Sequence, residues 1–370
     1  GRAGDADPGS QGAADTFQAV YVSGSMAEPS SKRPRTPSAK IALLNAGRLD
    51  FDHSLDISCL ELLGEVSVWG SEPSTEAAIC ERAEGQQVLV TKELPMPGSV
   101  IRALPPSVRL LVEAGTGFNN VDLDAARDRG ITVCNVPAYS SEAVAQLVVT
   151  FLLALSSSLV PQARLLERGD HHCFTQTLDL PHFELRGKTL GLVGGRGAIG
   201  QHVAQLARAL GMRVVISTRQ GSAAASSADP AVAGISYTSD VNELLSMSDF
   251  VSLHCPLTES TRHLLNAERL SLMKSSAYVI NTARGAIIDE DALIAALESG
   301  KLAGAALDVQ TMEPPARDSP LYSLSNVILT PHIGWKRKET RQRLLNEVAN
   351  NIRAFLDLDG DEAGPVNVVS

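Results

Sequence analysis

Thr189-Leu190-Gly191-Leu192-Val193, running directly into Gly194-Gly195-Arg196-Gly197-Ala198-Ile199-Gly200, is the stretch that decides the fold. The first five residues carry no charge and no polar alternation, which suits a strand covered on both faces. After the glycines, Ile199, Val203, Leu206, Ala207 and Leu210 recur on one helical stripe. Strand, tight turn and helix in that order begin a βαβ unit. Gly195, Gly197 and Gly200, with Arg196, Ala198 and Ile199 between them, fit the G-x-G-x-x-G spacing of a dinucleotide-binding loop. There the first glycine permits the turn and the second admits the pyrophosphate to the backbone. The third lets the helix pack closely, and the helix N-terminus faces the phosphate charge. A chain with 29 glycines produces such spacings by chance, so a plain structural turn is the alternative; the flanking strand and helix argue against it.

Outward from this loop the same alternation continues. Strands are expected at 213–217, 250–254, 277–281, 303–309 and 327–330, with helical segments between them. Upstream, strands at 41–44, 66–69, 88–91, 110–113 and 131–133 alternate with helices at 57–63, 75–83, 98–104 and 123–129. Strict alternation of apolar strands with helices implies right-handed crossovers onto parallel sheets. The expected fold is α/β, with two doubly wound parallel-sheet domains, one flavodoxin-like and one Rossmann-type, and a cleft between them. A long apolar helix over 141–159 joins the two, and a helix over 338–358 returns to complete the first. The expected division is a disordered tail at 1–39, a substrate domain from 40–140 plus 335–370, and a dinucleotide domain at 141–334.

Composition narrows the function classes. A formal net charge of −10 gives no general attraction to nucleic acid or to an anionic membrane. The longest apolar run, 147–155, falls well short of the roughly 20 residues a span needs. Five scattered cysteines, with no Cys-x-x-Cys pair, suggest neither a disulfide framework nor a zinc site, and favour a reducing, cytoplasmic compartment. His171-His172-Cys173 reads as a solvated loop, because adjacent residues seldom face one ion. Residues 1–39 are polar and lack an apolar signal core, and Gly24-Ser25-Met26 is either an expression scar or part of a natural extension. Lys32-Arg33-Pro34-Arg35 is a candidate nuclear address, with a solvated tail as its alternative.

The strand after the glycine loop ends in Thr218-Arg219, where a loop that binds NAD ordinarily places Asp or Glu against the ribose 2′-hydroxyl. A carboxylate would repel a 2′-phosphate, whereas a hydroxyl and a guanidinium can bond to it. NADP(H) is therefore favoured, with NAD(H) as the alternative.

Several spaced motifs now fall in order: Gly195 to Gly200, Asn281-Thr282-Ala283-Arg284-Gly285, Ala305-Ala306-Leu307-Asp308-Val309 with Glu313-Pro314, and Thr330-Pro331-His332-Ile333-Gly334. From Lys40 onward the chain resembles the D-isomer-specific 2-hydroxyacid dehydrogenase family. Val144-Ala145-Gln146 and the run 335–345 are similar to its glycerate dehydrogenase, or hydroxypyruvate reductase, branch. The resemblance implies a hydride transfer between a nicotinamide dinucleotide and a small 2-keto or D-2-hydroxy acid, in a homodimer. It assigns Arg284 to the substrate carboxylate and carbonyl, a task for which a forked, permanent cation is suited. His332 becomes the acid in reduction and the base in oxidation. Glu313 becomes the partner that orients His332 and favours its charged form.

By the same resemblance, Gly115, Thr116 and Gly117 offer backbone N–H groups to the substrate. Cys255, Pro256, Thr261, Thr282, Ala283, Asp308 and Gly334 surround the cofactor, with the Asp308 carboxylate on the nicotinamide amide. Cys255 is then a pocket wall rather than a nucleophile, since no base accompanies it. Two departures from the family pattern are Gly194, an additional glycine before the loop, and Arg196, in a place that is otherwise apolar. Each bears on the path of the loop. A nucleotide-sensing corepressor scaffold that binds partner peptides, and a phosphoglycerate dehydrogenase, are the alternatives on this fold. A formate dehydrogenase is disfavoured by Glu313, where that branch carries Gln.

Overall fold

The computed structural model describes residues 39–174, 179–218, 234–356 and 366–369, all inside one compact unit, Pro37–Ser370. The tail before residue 39, its basic run and Arg219 lie outside the described residues.

Strands and helices alternate as the apolar runs require. The first sheet takes β1 (Ala39–Leu43), β2 (Gly64–Val68), β3 (Val88–Thr91), β4 (Leu110–Glu113) and β5 (Thr132–Cys134). The helices α1 (Ser58–Glu61), α2 (Glu76–Ala83), α3 (Gly98–Ala103) and α4 (Leu123–Asp128) connect them. Then come α5 (Ser141–Ser156) and α6 (Leu159–Glu167). The second sheet takes β6 (Thr189–Val193), β7 (Arg213–Ser217), β8 (Ile235–Thr238), β9 (Phe250–Leu253), β10 (Tyr278–Asn281), β11 (Gly304–Leu307) and β12 (Val327–Leu329). Its helices are α7 (Ala198–Ala209), α8 (Val241–Met247), α9 (Ala267–Leu272) and α10 (Glu290–Glu298), and α11 (Lys338–Phe355) closes the chain.

Every pairing in both sheets is parallel. The first runs β2-β1-β3-β4-β5 and the second β12-β11-β10-β9-β6-β7-β8. Strand order reverses between β1 and β3 in one sheet and between β6 and β9 in the other. Ligands in such sheets bind outside the carboxyl ends of the strands at these reversals. Lys92 and Glu93 follow β3, Gly115 to Gly117 follow β4, the glycine loop follows β6, Arg284 follows β10 and Asp308 follows β11.

Packing explains the two long helices. Leu147, Val148, Phe151, Leu152 and Leu155 of α5 share a core with Leu190, Leu192, Phe250 and Ile280 of the second sheet. Leu344, Leu345, Val348 and Ile352 of α11 join Ile41, Val88, Val90, Leu110 and Val112 of the first. Each such side chain, fully buried, contributes about 1.5–3 kcal/mol. Arg341 of α11 is 1% exposed and forks onto Asp52 at 2.9 and 2.6 Å. It also donates to Leu49 O at 3.0 Å and lies over the Phe51 ring at 4.2 Å, so it pins the loop that carries Phe51.

Two expectations change. The helix expected over 141–159 ends at Ser156, and a second helix outside that expectation, α6, follows it at a bend of 63°. Ser156 and Ser157 turn their hydroxyls back onto Leu153 O at 3.1 and 2.6 Å, Ser158 adopts φ +48, and Pro161 cannot extend the earlier turn. β8 went unread because it is a half-exposed edge strand without an apolar run. Among the described residues no single helix is long and apolar enough to cross a membrane.

Candidate active site

The glycine loop is built by contact. Gly194 has φ +80, and a Cβ there would meet the Cys255 backbone nitrogen at 2.6 Å. Its N–H donates to Ser217 Oγ at 3.2 Å and its carbonyl accepts the Gly197 N–H at 3.2 Å. The additional glycine is thus what the turn requires, since a left-handed residue pressed on backbone cannot carry a side chain. A Cβ on Gly200 would collide with Gly195 backbone, so the third glycine sets helix against strand. Gly197 caps α7, whose first N–H groups have no partner within the helix and no side-chain cap. Arg196 and Ala198 are exposed beside it, and Ile199 is half-buried.

Across the loop, Thr282 Oγ1 is buried with no hydrogen-bond partner among the described residues, which fits a polar ligand over the end of β10. Cys255 packs under Gly194, and burial pushes its thiol up to about 11, which leaves it a protonated wall. Thr261 spends its hydroxyl on Pro256 O at 2.7 Å and so shapes that wall. His254, missed in the sequence, stands next to it and is pushed down to about 4 by burial, which keeps it neutral. Thr218 is 8% exposed, and its hydroxyl lies 3.3 Å from Thr238 O, to which it donates. It is therefore not the free donor expected at the ribose.

His332 is held in a strained backbone. Its φ is +51, a region that non-glycine residues rarely occupy. Its N–H donates to Asp308 O at 2.9 Å. The Asp308 carboxylate accepts from Thr330 Oγ1 at 2.6 Å, Ile333 N at 2.8 Å and Gly334 N at 2.9 Å. Asp308 and Gly334, expected at the cofactor, are thus committed first to fixing the histidine turn. Burial raises the Asp308 carboxyl's affinity for its proton, against the pull of those three donors.

The held imidazole points Nδ1 at Glu313 Oε2, 2.9 Å away. Glu313 also accepts from Gln310 N at 3.1 Å. Burial works to raise the Glu313 carboxyl, but the bond to His332 and its charge outweigh this and hold it below the usual carboxylate range. Nε2 of His332 is left free of this bond.

Arg284 comes from the second sheet. Asn281, fully buried at the end of β10, donates to Arg284 O at 2.9 Å and accepts the Ala283 N–H at 3.0 Å, which fixes the turn. The guanidinium lies against Gly117, where a methyl group would collide with it. On the opposite wall Thr116 Oγ1 donates to Val136 O at 3.1 Å and Asn135 donates to Thr116 O at 2.8 Å. The N–H groups of Thr116 and Gly117 bond to no acceptor among the described residues. Arg284 and the Gly115–Gly117 turn therefore meet, and the Glu313–His332 pair forms independently.

A cavity of about 590 Å³ opens beside His332, lined also by Glu313, Gln310, Trp335, Glu93, Arg48 and Phe51. Neither Arg284 nor the Gly115–Gly117 turn is in its lining; Lys92 bridges the two regions, with Nζ 2.8 Å from Glu93 Oε1 and 3.3 Å from where a Gly115 Cβ would stand. Sequence reading missed Arg48, Lys92 and Glu93. Their one signal was a charged pair directly after a fully buried strand, at the end of the sheet where ligands bind. Among the described residues no group of His, Cys, Asp and Glu could hold a metal ion. His172, with Asp170 Oδ1 at 2.5 Å from Nδ1 and Cys173 Sγ at 3.5 Å from Nε2, belongs to a short turn outside this site.

Comparison with known proteins bears on the chain as a whole. The family model described as D-isomer specific 2-hydroxyacid dehydrogenase, NAD binding domain, matches residues 149–334. The hydroxypyruvate reductase of Blautia hydrogenotrophica is 35% identical over 333 residues, 88% of this chain and 97% of the relative. The glycerate dehydrogenase of Methylorubrum extorquens is 37% identical over 289 residues, covering 76% and 86%. An acyclic imino acid reductase, solved in complex with NADPH and D-Arg, superposes with a TM-score of 0.76 at 30% identity, over 90% of this chain and all of that one. A histidine turn fixed by a buried carboxylate, a glycine loop at a strand-order reversal and relatives that match nearly end to end lead to one assignment: the chain belongs to the D-isomer-specific 2-hydroxyacid dehydrogenase family.

Proposed function

We propose that this protein reduces a small 2-keto acid of the hydroxypyruvate or glyoxylate kind to the D-2-hydroxy acid, NADPH being the preferred reductant, and catalyses the reverse oxidation. The observation that carries this is the pairing of His332 with Glu313 at 2.9 Å on a turn locked by Asp308, beside a dinucleotide loop.

The glycine loop and Thr282 would hold a reduced nicotinamide dinucleotide, which would supply the hydride. The chain's own groups do the rest. Thr116 and Gly117 N–H groups and the Arg284 fork hold the substrate carboxylate, and Arg284 stabilises negative charge as it develops on the carbonyl oxygen. His332 Nε2 gives that oxygen its proton, and Glu313 stabilises the imidazolium before the transfer. In the reverse direction the neutral imidazole accepts the proton.

NADPH preference is supported by the absence of a carboxylate at Thr218 and by the NADPH held by the imino acid reductase relative. A homodimer is supported by apolar side chains left exposed around α5 and α6, namely Leu153, Leu159, Leu166 and Phe174, the last 77% exposed. The test is a panel of glyoxylate, hydroxypyruvate, pyruvate and bulkier keto acids with each reduced cofactor. Turnover of a small keto acid with NADPH above NADH is expected. Negligible turnover of every acid would overturn the enzymatic reading, and a clear NADH preference would overturn the cofactor choice.

A further inference from the structure

The wall facing His332 holds a second set of polar groups that the proposed chemistry does not use. Glu93 and Arg48 line the cavity, with Arg48 Nη2 2.8 Å from Glu93 Oε2. Lys92, 4% exposed, bonds the other Glu93 oxygen at 2.8 Å and lies over the Trp335 ring at 4.0 Å. Glu93 has φ +54, and its N–H is held by Glu113 Oε1 at 2.8 Å. Lys92 is fixed in turn, its N–H donating to Asn45 Oδ1 at 3.0 Å and its carbonyl accepting from Asn45 Nδ2 at 2.8 Å. A strained residue held by three neighbours is a positioned one.

Two acceptor sites and one donor in this wall are unspent. Each Glu93 oxygen accepts one bond from a cation and keeps one lone-pair site. Trp335 lines the same cavity, is 5% exposed, and its Nε1–H has no partner among the described residues. A buried indole N–H without a protein partner is a donor open to a ligand oxygen. Burial works against ionisation of Glu93, but the charges of Lys92 and His332 and the two cation bonds prevail and keep it a carboxylate.

We infer that Glu93, with Arg48 and the Trp335 indole N–H, forms the subsite that recognises a hydroxyl group on C3 of the 2-keto acid, with Lys92 as its positioning residue. This rests on the proposed keto-acid reduction. A substrate whose carboxylate sits at Arg284 and whose carbonyl oxygen faces His332 turns its remaining substituent toward this cavity. A hydroxyl suits the wall because it donates to a carboxylate and accepts from an N–H at once. A methyl group there would leave Glu93 and Trp335 unsatisfied, and a second carboxylate would face Glu93 directly. The subsite therefore selects 3-hydroxy-2-keto acids over pyruvate-like and dicarboxylic ones.

The test compares kcat/KM for hydroxypyruvate and pyruvate at saturating NADPH in the full chain, with glyoxylate as a substrate that has no C3. Glu93→Gln is expected to reduce the hydroxypyruvate-to-pyruvate ratio by about tenfold or more. Arg48→Met, which leaves the Lys92–Glu93 pair in place and replaces an exposed side chain, is expected to reduce it less and in the same direction. If Glu93→Gln does not fold, Arg48→Met alone decides: a lowered ratio supports the subsite and an unchanged one overturns it. A uniform loss on both acids with the ratio unchanged also overturns it. Failure of the unaltered chain to turn over any of the three acids overturns instead the keto-acid reading on which the subsite rests.

Discussion

The two walls of the cleft each carry a non-glycine residue at positive φ, His332 at +51 and Glu93 at +54, and hold it by different means. His332 is fixed by Asp308, whose carboxylate takes one hydroxyl and two backbone N–H groups. Its anchor is buried and bonds the turn's backbone, and the carboxylate that bonds the imidazole itself is Glu313. Glu93 is fixed by one backbone bond and by two cations in direct contact with its carboxylate. The difference matches the roles proposed for the two groups. A residue proposed to exchange a proton with substrate is positioned through its backbone, which leaves its ring free to meet the substrate. A residue that stays ionised while a substrate docks can be held by charge itself.

That contrast can be broken from several sides. The largest effect is expected at Arg284→Ala: kcat/KM should fall on the order of 10³-fold, as loss of a charge-stabilising donor does, with NADPH affinity by fluorescence titration nearly unchanged. A loss under about tenfold would remove Arg284 from the substrate. Gly117→Ala comes next. Its methyl group displaces only the tip of the Arg284 side chain, so about a 10²-fold loss in kcat/KM is expected while Tm moves by no more than about 2 °C. A large fall in Tm would mean that Gly117 serves the fold rather than the cleft.

Asp308→Asn should lower kcat by about tenfold, because an amide faces Gly334 N–H with a donor where an acceptor stood. Unchanged kcat would show that the histidine turn holds itself. The smallest effect concerns Glu313, whose folded carboxyl titrates below its ordinary 4.5. The stability it contributes is present above pH 4.5 and is lost as pH falls through the lower folded value. The Tm of the unaltered chain should exceed that of Glu313→Gln by about 1–3 °C near pH 6, and the gap should close toward pH 3. A gap that widens in acid would contradict the pairing.

The catalytic wall was more legible than the substrate wall for a physical reason. Buried parallel strands are written in continuous apolar runs, so β3, β4, β6 and β7 could be bounded to the residue. Arg284, Glu313 and His332 sit in dense motifs directly after such strands. Edge strand β8 is half-exposed and leaves no such run, and the break between α5 and α6 depends on serine hydroxyls that compete for Leu153 O, which apolar periodicity does not register. The part Asp308 plays in the histidine turn is hidden from sequence for a similar reason. Its three donors arrive from the strand end at Thr330 and from Ile333 and Gly334, and only the folded turn brings them together, with one acceptor site of the carboxylate still open. Glu93, Arg48 and Trp335 lie far apart in the chain and meet only across the sheet ends.

The most direct test is the NADPH-dependent reduction of hydroxypyruvate by His332→Ala, followed by stopped-flow absorbance alongside a measurement of NADPH binding. Removal of the proton donor should lower kcat by about 10²- to 10⁴-fold while NADPH binds as tightly as before. Turnover at the rate of the unaltered chain would contradict the role given to His332.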